Sequence, residues 1–227
     1  MTIGPPQANR AGMRGALANP FYRASAGFVA MRIGVIGVQG DVSEHVDAVA
    51  RAIKESGRVG EAIPVRRRED LDRVDGLTIP GGESTTISKL LVKLGLFDEI
   101  VRRANDEHMP ILGTCAGCIL LAKDGGVQAT RTRSRLLALM DMAVDRNAFG
   151  RQKESFEADL DVVGLERPFH GVFIRAPAIL RTWGDCKPLA RYQDKIVLAR
   201  QGHLIGAAFH PELSNDFRIH RWFLELI

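Results

Sequence analysis

The chain has 227 residues, of which 45% are hydrophobic and 26% are charged, and its formal net charge is +4. Arg10, Arg14 and Arg23 supply three of those charges, because residues 1–30 contain no acidic side chain. The remainder is nearly neutral and has no apolar run long enough to span a bilayer, so neither nucleic-acid nor membrane binding is expected. Three cysteines are too few for a disulfide framework, which favours a reducing, cytoplasmic location.

Residues 1–30 differ in composition from the rest of the chain. They are rich in glycine, alanine, proline, asparagine and arginine and show no sustained apolar period. A secretory signal needs a continuous apolar core, and Pro20, Tyr22 and Arg23 interrupt the only candidate. We interpret 1–30 as a disordered extension or as the product of a start codon assigned too early, and 31–227 as one domain.

The first half of that domain alternates predicted strands with predicted helices. Near-continuous apolar runs predict strands at 32–38, 62–65, 77–79 and 111–114, and helical periodicity predicts helices at 42–57, 87–94 and 96–107. Ser84 or Thr85 is expected to cap the second of these helices. The alternation predicts a parallel sheet with helices on both faces, in which active residues follow the carboxyl ends of strands. Residues 39–40, residues 81–82 and Cys115 all follow such ends.

The second half is richer in strands than the first. Candidate strands occur at 137–144, 156–163, 171–174, 189–192, 196–199 and 205–209, and a helix is predicted at 216–227. Because no linker or repeat divides the sequence from residue 31 onwards, we expect one compact domain.

Cys115 stands at a sharp turn between a predicted strand and an apolar segment of helical period. A thiol there faces the unpaired N–H groups and the positive end of the helix, which favours the thiolate. Gly113, Ala116 and Gly117 let backbone approach the sulfur closely, as a nucleophile elbow requires. Cys115 is therefore a candidate nucleophile, although free cysteines are also among the most often buried residues.

A second candidate element follows the last predicted strand, where His210 and Glu212 flank Pro211. Residues i and i+2 of an extended chain point the same way, so we expect Glu212 to contact His210 if the chain stays extended. A carboxylate on one imidazole nitrogen fixes the tautomer and leaves the other nitrogen to take a proton from a thiol. The pattern predicts a triad of Cys115, His210 and Glu212.

Cys115 and Cys118 also form a Cys-x-x-Cys pair, which is typical of a dithiol redox site. Redox chemistry, however, requires neither the Gly81-Gly82 turn nor the His-Pro-Glu element. A zinc site would need a second pair of ligands, and Cys186 is isolated. The triad is therefore favoured over both alternatives.

Several motifs resemble those of the class I, triad-type glutamine amidotransferases: 80–86 (PGGESTT), 113–117 (GTCAG) and 209–213 (FHPEL). Others resemble the branch of that family that serves pyridoxal 5'-phosphate synthase: 38–41 (VQGD), 145–152 (DRNAFGRQ), 155–160 (SFEADL) and 171–177 (GVFIRAP). The resemblance covers 31–227, with a departure at Cys118, where the family usually has an aliphatic residue. It implies a flavodoxin-like, three-layer α/β sandwich with a mostly parallel central sheet.

The resemblance also implies hydrolysis of L-glutamine to L-glutamate and ammonia, with Cys115 as the nucleophile and His210 and Glu212 managing the protons. The glutamine contacts that it implies are Gly82, Glu83, Ser84, Arg146, Ile174 and Arg175, and the oxyanion hole consists of the N–H groups of Gly82 and Ala116. No metal or organic cofactor is implied.

The implied partner is a pyridoxal 5'-phosphate synthase subunit in a hetero-oligomeric complex, which would receive the ammonia. We expect the isolated chain to hydrolyse glutamine slowly and the partner to raise the rate. A flip of the turn at 39–40 is the expected structural change that switches the activity on. Two alternatives remain open: a glutaminase subunit of a different ammonia-using synthase, and a non-catalytic subunit that binds glutamine for regulation.

Overall fold

The computed structural model describes residue 1 and residues 30–126, 134–146, 148–149 and 155–227. The expectations for residues 2–29, and for 147 and 150–152 in the motif at 145–152, therefore lie outside the described residues. The strands are β1 Met31–Ile36, β2 Gly60–Val65, β3 Gly76–Ile79, β4 Ile111–Thr114, β5 Ala122–Asp124, β6 Met140–Asp145, β7 Ser155–Leu160, β8 Phe169–Ile174, β9 Ala178–Thr182, β10 Lys187–Tyr192, β11 Lys195–Gln201 and β12 Leu204–Ala207. The helices are α1 Val42–Glu55, α2 Arg68–Leu71, α3 Ser84–Lys93, α4 Phe97–Asp106, α5 Ala116–Leu121 and α6 Arg218–Leu224, and a 3₁₀ turn spans Pro211–Leu213.

Within the described residues, the central sheet has the order β2-β1-β3-β4-β12-β11-β9-β6-β5, and β10 pairs with β11. The five strands from β2 to β12 are all parallel, whereas β11, β9 and β6 are joined by antiparallel pairings. Parallel neighbours need crossover connections, which helices supply between the strands of the first half. The predicted α/β class with a mostly parallel central sheet is confirmed.

Helices cover both faces of this sheet and produce three layers. Successive residues of a strand point to opposite faces, so Ile111 and Leu112 of β4 enter two different clusters of buried apolar side chains. The cluster around Ile111 includes side chains of α3, α4 and α5, and the cluster around Leu112 includes side chains of α1 and α6. Residues that follow the carboxyl ends of the strands therefore lie at one edge of the sheet, between the two layers of helices. None of the helices in the described residues is long and apolar enough to cross a membrane.

The structure corrects three expectations about the elements. The cap of α3 is Glu83, not Ser84 or Thr85: its carboxylate accepts the N–H groups of Thr85 and Thr86 at 3.0 and 2.6 Å, which a longer side chain on extended backbone can reach. Strands β5 and β9 were not predicted, because β5 has three residues and β9 shows no alternation of buried and exposed positions. The final helix is shorter than predicted and spans Arg218–Leu224.

Candidate active site

Cys115 lies at a strained turn between β4 and α5. Its backbone has φ of 47° and ψ of −102°, a conformation that non-glycine residues rarely adopt. The Cys115 N–H donates to the carbonyl of Ala207 at 2.8 Å, and the Cys115 carbonyl accepts from the N–H of Ile119 at 3.2 Å. These bonds fix the turn to β12 and to the start of α5, and the residue is 8% exposed. The sharp strand–turn–helix geometry predicted for Cys115 is confirmed.

His210 lies beside Cys115 because β12 pairs in parallel with β4, with Ala207 opposite Thr114. Its Nδ1 is 2.6 Å from Oε1 of Glu212. The expectation that this contact needs an extended chain was wrong, since Glu212 lies in the 3₁₀ turn that begins at Pro211. Proline has the φ that a helical first turn requires, and within the turn the Glu212 side chain still reaches its neighbour.

The charges of this pair follow from opposing effects. Burial disfavours the charged imidazole, but hydrogen bonds with Cys115 and Glu212 outweigh it and raise the pKa of His210 to about 10. Burial would likewise raise the pKa of Glu212, but contacts with His210 and His45 hold it well below its usual range. At neutral pH, His210 is therefore a positively charged imidazolium, which lies between the ionised carboxylate of Glu212 and the sulfur of Cys115.

Two glycine-containing turns meet next to His210, as the strand-end argument predicts. Gly81 packs so closely on the imidazole that a Cβ at this position would lie 2.4 Å from His210 Cε1. Gly40 has φ of 105°, and a Cβ there would lie 1.8 Å from the Gly81 carbonyl oxygen. The Gln39 side chain joins the turns by accepting the Glu83 N–H at 2.9 Å. Only glycine is compatible with both close approaches.

Two residues near the candidate triad were missed by sequence reasoning. Oδ2 of Asp41 lies 3.5 Å from Nδ1 of His210, and Nε2 of His45 lies 3.3 Å from Oε2 of Glu212. A signal existed for His45, because it lies one helical turn beyond Asp41 on the buried face of α1. Among the described residues, Asp41, His210 and Glu212 are the group whose ligand atoms lie within 4.8 Å of one another. The same atoms already form the ion pairs described above, so the group is explained without a metal.

The glutamine contacts implied by the resemblance lie in two parts of the structure. Gly82, Glu83 and Ser84 lead into α3, and Nη1 of Arg146 donates to Oγ1 of Thr85 at 3.2 Å near the start of that helix. Nε and Nη2 of Arg146 are buried and have no hydrogen-bond partner among the described residues. Burial lowers the pKa of Arg146, and the Glu83 carboxylate partly opposes this effect.

The second part is the end of β8. The Ile174 carbonyl oxygen lies 4.0 Å from Cys115 Sγ, and Arg175 follows with φ of 45°. The structure thus brings β8 to the nucleophile candidate. Arg175 itself is exposed.

Cys118 is buried and lies inside α5 rather than at the turn. Burial raises the pKa of its thiol strongly, with a further contribution from Cys115. A thiol held in its protonated form is inert. This environment disfavours the dithiol redox alternative and is consistent with Cys118 packing as a small apolar side chain.

Comparison with known proteins identifies the family. The model of the SNO glutamine amidotransferase family matches residues 35–227. A Methanosarcina barkeri protein named pyridoxal 5'-phosphate synthase subunit PdxT is 50% identical over 197 residues, covering 87% of this chain and 98% of that protein. A Thermococcus onnurineus protein of the same name is 52% identical over 195 residues, covering 86% and 98% of the two chains.

A solved structure titled as a glutamine amidotransferase shares 47% identity with this chain and covers 86% of it and 97% of its own length, with a TM-score of 0.76. A second, from Thermotoga maritima, is 14% identical with a TM-score of 0.57 over 86% of this chain and 81% of its own, and it shows the fold alone. On the family match and these relatives, the chain belongs to the SNO glutamine amidotransferase family.

Proposed function

We propose that this chain hydrolyses L-glutamine to L-glutamate and ammonia at Cys115, His210 and Glu212. The observation that carries the proposal is the 2.6 Å contact between His210 Nδ1 and Glu212 Oε1, beside a cysteine on a strained elbow. A cysteine activated by a base that a third group orients is the arrangement that nucleophilic acyl transfer requires.

The reaction proceeds in two balanced halves. Sγ of Cys115 attacks the side-chain amide carbon of glutamine, and His210 gives its proton to the amide nitrogen, so that ammonia leaves and a thioester remains. Water then attacks the thioester while His210 accepts a proton from it, and glutamate leaves as the Cys115–His210 pair is restored. Glu212 stays ionised throughout and stabilises the imidazolium.

Both halves place negative charge on the former amide oxygen. The N–H of Ala116, the first residue of α5, has no partner within the helix, and the N–H of Gly82 lies in the turn before α3. We assign these two groups to the oxyanion hole, where each donor contributes roughly 2 to 4 kcal/mol to transition-state stabilisation.

Glutamine would lie between the start of α3 and the end of β8, in contact with Gly82, Glu83, Ser84, Ile174 and Arg175. Arg146 is suited to the α-carboxylate, because its buried Nε and Nη2 have no hydrogen-bond partner among the described residues. These two adjacent N–H donors match the two oxygens of a carboxylate.

The ammonia acceptor in this proposal is a pyridoxal 5'-phosphate synthase subunit in a hetero-oligomeric complex. The names of relatives about 50% identical over nearly their whole length support this choice. The catalytic domain would be residues 31–227, consistent with a family match that begins at residue 35. All three cysteines are free thiols, which suits the cytoplasm.

The experiment that tests this function measures glutamate release by the wild type with and without a saturating synthase subunit from the same organism. We expect a slow rate alone and a rise on the order of 100-fold in the complex, where a flip of the turn at 39–40 completes the oxyanion hole. Equal rates with and without the subunit would contradict the switch.

Two further outcomes concern the alternatives. If a different ammonia-using synthase activates the chain and the pyridoxal 5'-phosphate synthase subunit does not, the proposed partner is wrong but the proposed glutamine hydrolysis still holds. Glutamine binding without glutamate release under either condition would support a regulatory subunit instead.

A further inference from the structure

His45 is a fully buried histidine of α1 that the mechanism above does not use. It lies where α1 packs against α6 and the 3₁₀ turn that carries Glu212. Burying a polar ring costs free energy unless its nitrogens are partnered. The partners of His45 therefore indicate what the residue does.

Among the described residues, the two polar contacts of the His45 side chain lead to the candidate triad. Its Nε2 is 3.0 Å from Oγ1 of Thr114, the residue directly before Cys115. The same nitrogen is 3.3 Å from Oε2 of Glu212, the carboxylate oxygen that does not hold His210. One buried nitrogen thus connects the strand that carries the nucleophile with the group that orients the base.

The chemistry of these partners places the proton of His45. An ionised carboxylate only accepts hydrogen bonds, so the nitrogen facing Oε2 must carry hydrogen. Nδ1 has no hydrogen-bond partner among the described residues. Oε2 of Glu212 also has no well-aligned hydrogen-bond donor among the described residues. The Nε2–H of His45 therefore points mainly at Thr114, and its contact with Oε2 is an attraction between a dipole and a charge.

The other titratable groups around this cluster show why such a contact matters. Asp41 lies 3.5 Å from His210 Nδ1 and offers that nitrogen a second acceptor if Glu212 rotates. His220 of α6 has its ring centroid 6.4 Å from that of His45, and burial together with the nearby His45 lowers its pKa to about 3. His220 is therefore neutral at pH 7 and does not compete for the carboxylate.

We propose that His45 is a positioning residue, which fixes the Glu212 carboxylate against Thr114 so that Oε1 stays on His210 Nδ1. The inference rests on the proposed glutaminase function and adds a residue that acts through Glu212 without touching the substrate. Without His45, the carboxylate is free to rotate and His210 loses its fixed orientation toward Cys115.

A matched pair of substitutions tests this role in the complex with the synthase subunit. His45→Gln keeps an amide N–H at the level of Nε2, whereas His45→Asn is also an amide but ends near the level of Nδ1. We expect His45→Asn to lower kcat roughly 10- to 100-fold with little change in KM, as for other groups that orient a reactive side chain. His45→Gln should recover most of that loss.

His220→Leu is the control, because it changes a neighbouring buried histidine whose ring nitrogens form no hydrogen bond with Glu212, Thr114 or any other described residue. We expect it to keep the wild-type kcat. Equal losses in His45→Asn and His220→Leu, or in His45→Asn and His45→Gln, would overturn the positioning role, and circular-dichroism melting identifies any variant that is unfolded.

A second measurement uses no glutamine and so separates this inference from the proposed function. The rate at which iodoacetamide alkylates Cys115 is followed by mass spectrometry between pH 5 and 9. Because a poorly oriented His210 stabilises the thiolate less, alkylation of His45→Asn should be slower than that of the wild type near pH 6.5 and should converge with it at high pH. Superimposable profiles would overturn the inference even if glutamine proves not to be the substrate.

Discussion

Cys115→Ser is expected to lower glutamine turnover by on the order of 10⁴-fold or more while leaving the fold intact, since removing the nucleophile of a catalytic triad has effects of at least this size. Serine is nearly isosteric with cysteine, but its hydroxyl is far less acidic and a poorer nucleophile beside the same imidazole. The elbow conformation at Cys115 depends on backbone hydrogen bonds with Ala207 and Ile119, which the substitution does not touch. The measurement is glutamate release in the synthase complex, with melting temperature as the check on folding.

Cys118→Ala provides the matched control in the same helix. The Cys118 side chain is buried, so its truncation costs packing energy of roughly 1 to 2 kcal/mol at most. We expect the variant to keep most of its activity. Loss of turnover in a folded Cys118→Ala protein would mean that the two thiols act together, as in the redox alternative.

Glu212→Gln is the second change with a large expected effect. The substitution preserves size but removes the negative charge that stabilises the His210 imidazolium across a 2.6 Å contact. The amide can also present N–H to His210 Nδ1, which would force the wrong tautomer. An Asp-to-Asn change at the corresponding position of a serine triad lowers kcat about 10⁴-fold, and we expect a fall of roughly 10³- to 10⁴-fold here with little change in KM.

The pH dependence of stability provides an independent check on Glu212→Gln. Because the folded pKa of His210 lies near 10, above the ordinary value of 6.5, its interactions stabilise the fold fully below pH 6.5, and this stabilisation is lost as the pH rises through 10. Because Glu212→Gln removes the carboxylate, this variant should lose less stability than the wild type as the pH rises toward 10. A variant with wild-type kcat and a wild-type stability profile between pH 6 and 10 would show that Glu212 does not hold His210 in solution.

The arrangement of the sheet was predictable because parallel strands and their helices have distinct apolar periods. Strands β1, β3 and β4 were each identified, and the rule that functional groups follow strand ends predicted that the turns at 39–40 and 81–82 lie together, as they do next to His210. His210 could be joined to Cys115 because the last strand of the sheet ends just before it, although its pairing with β4 was visible only in three dimensions.

The remaining features depend on tertiary contacts that no local pattern contains. The Glu212 carboxylate, which lies in the 3₁₀ turn after Pro211, contacts both His210 and His45, and His45 lies far away in sequence. Glu83 becomes the cap of α3 because its N–H is held by the side chain of Gln39 from another loop. In the same way, His45 belongs by spacing to the apolar face of α1, and only the fold shows that this face packs against the triad.

The most direct test of the account asks which thiol attacks a glutamine-shaped electrophile. A glutamine analogue with a diazoketone in place of the side-chain amide takes up a proton at its diazo carbon, loses dinitrogen and forms a stable thioether with a thiolate, which mass spectrometry locates. We predict one label per chain, on Cys115, with protection by excess glutamine and no label on Cys118 or Cys186. Labelling of either buried cysteine in place of Cys115, or turnover of glutamine by a chain that resists labelling, would contradict the assignment of the nucleophile.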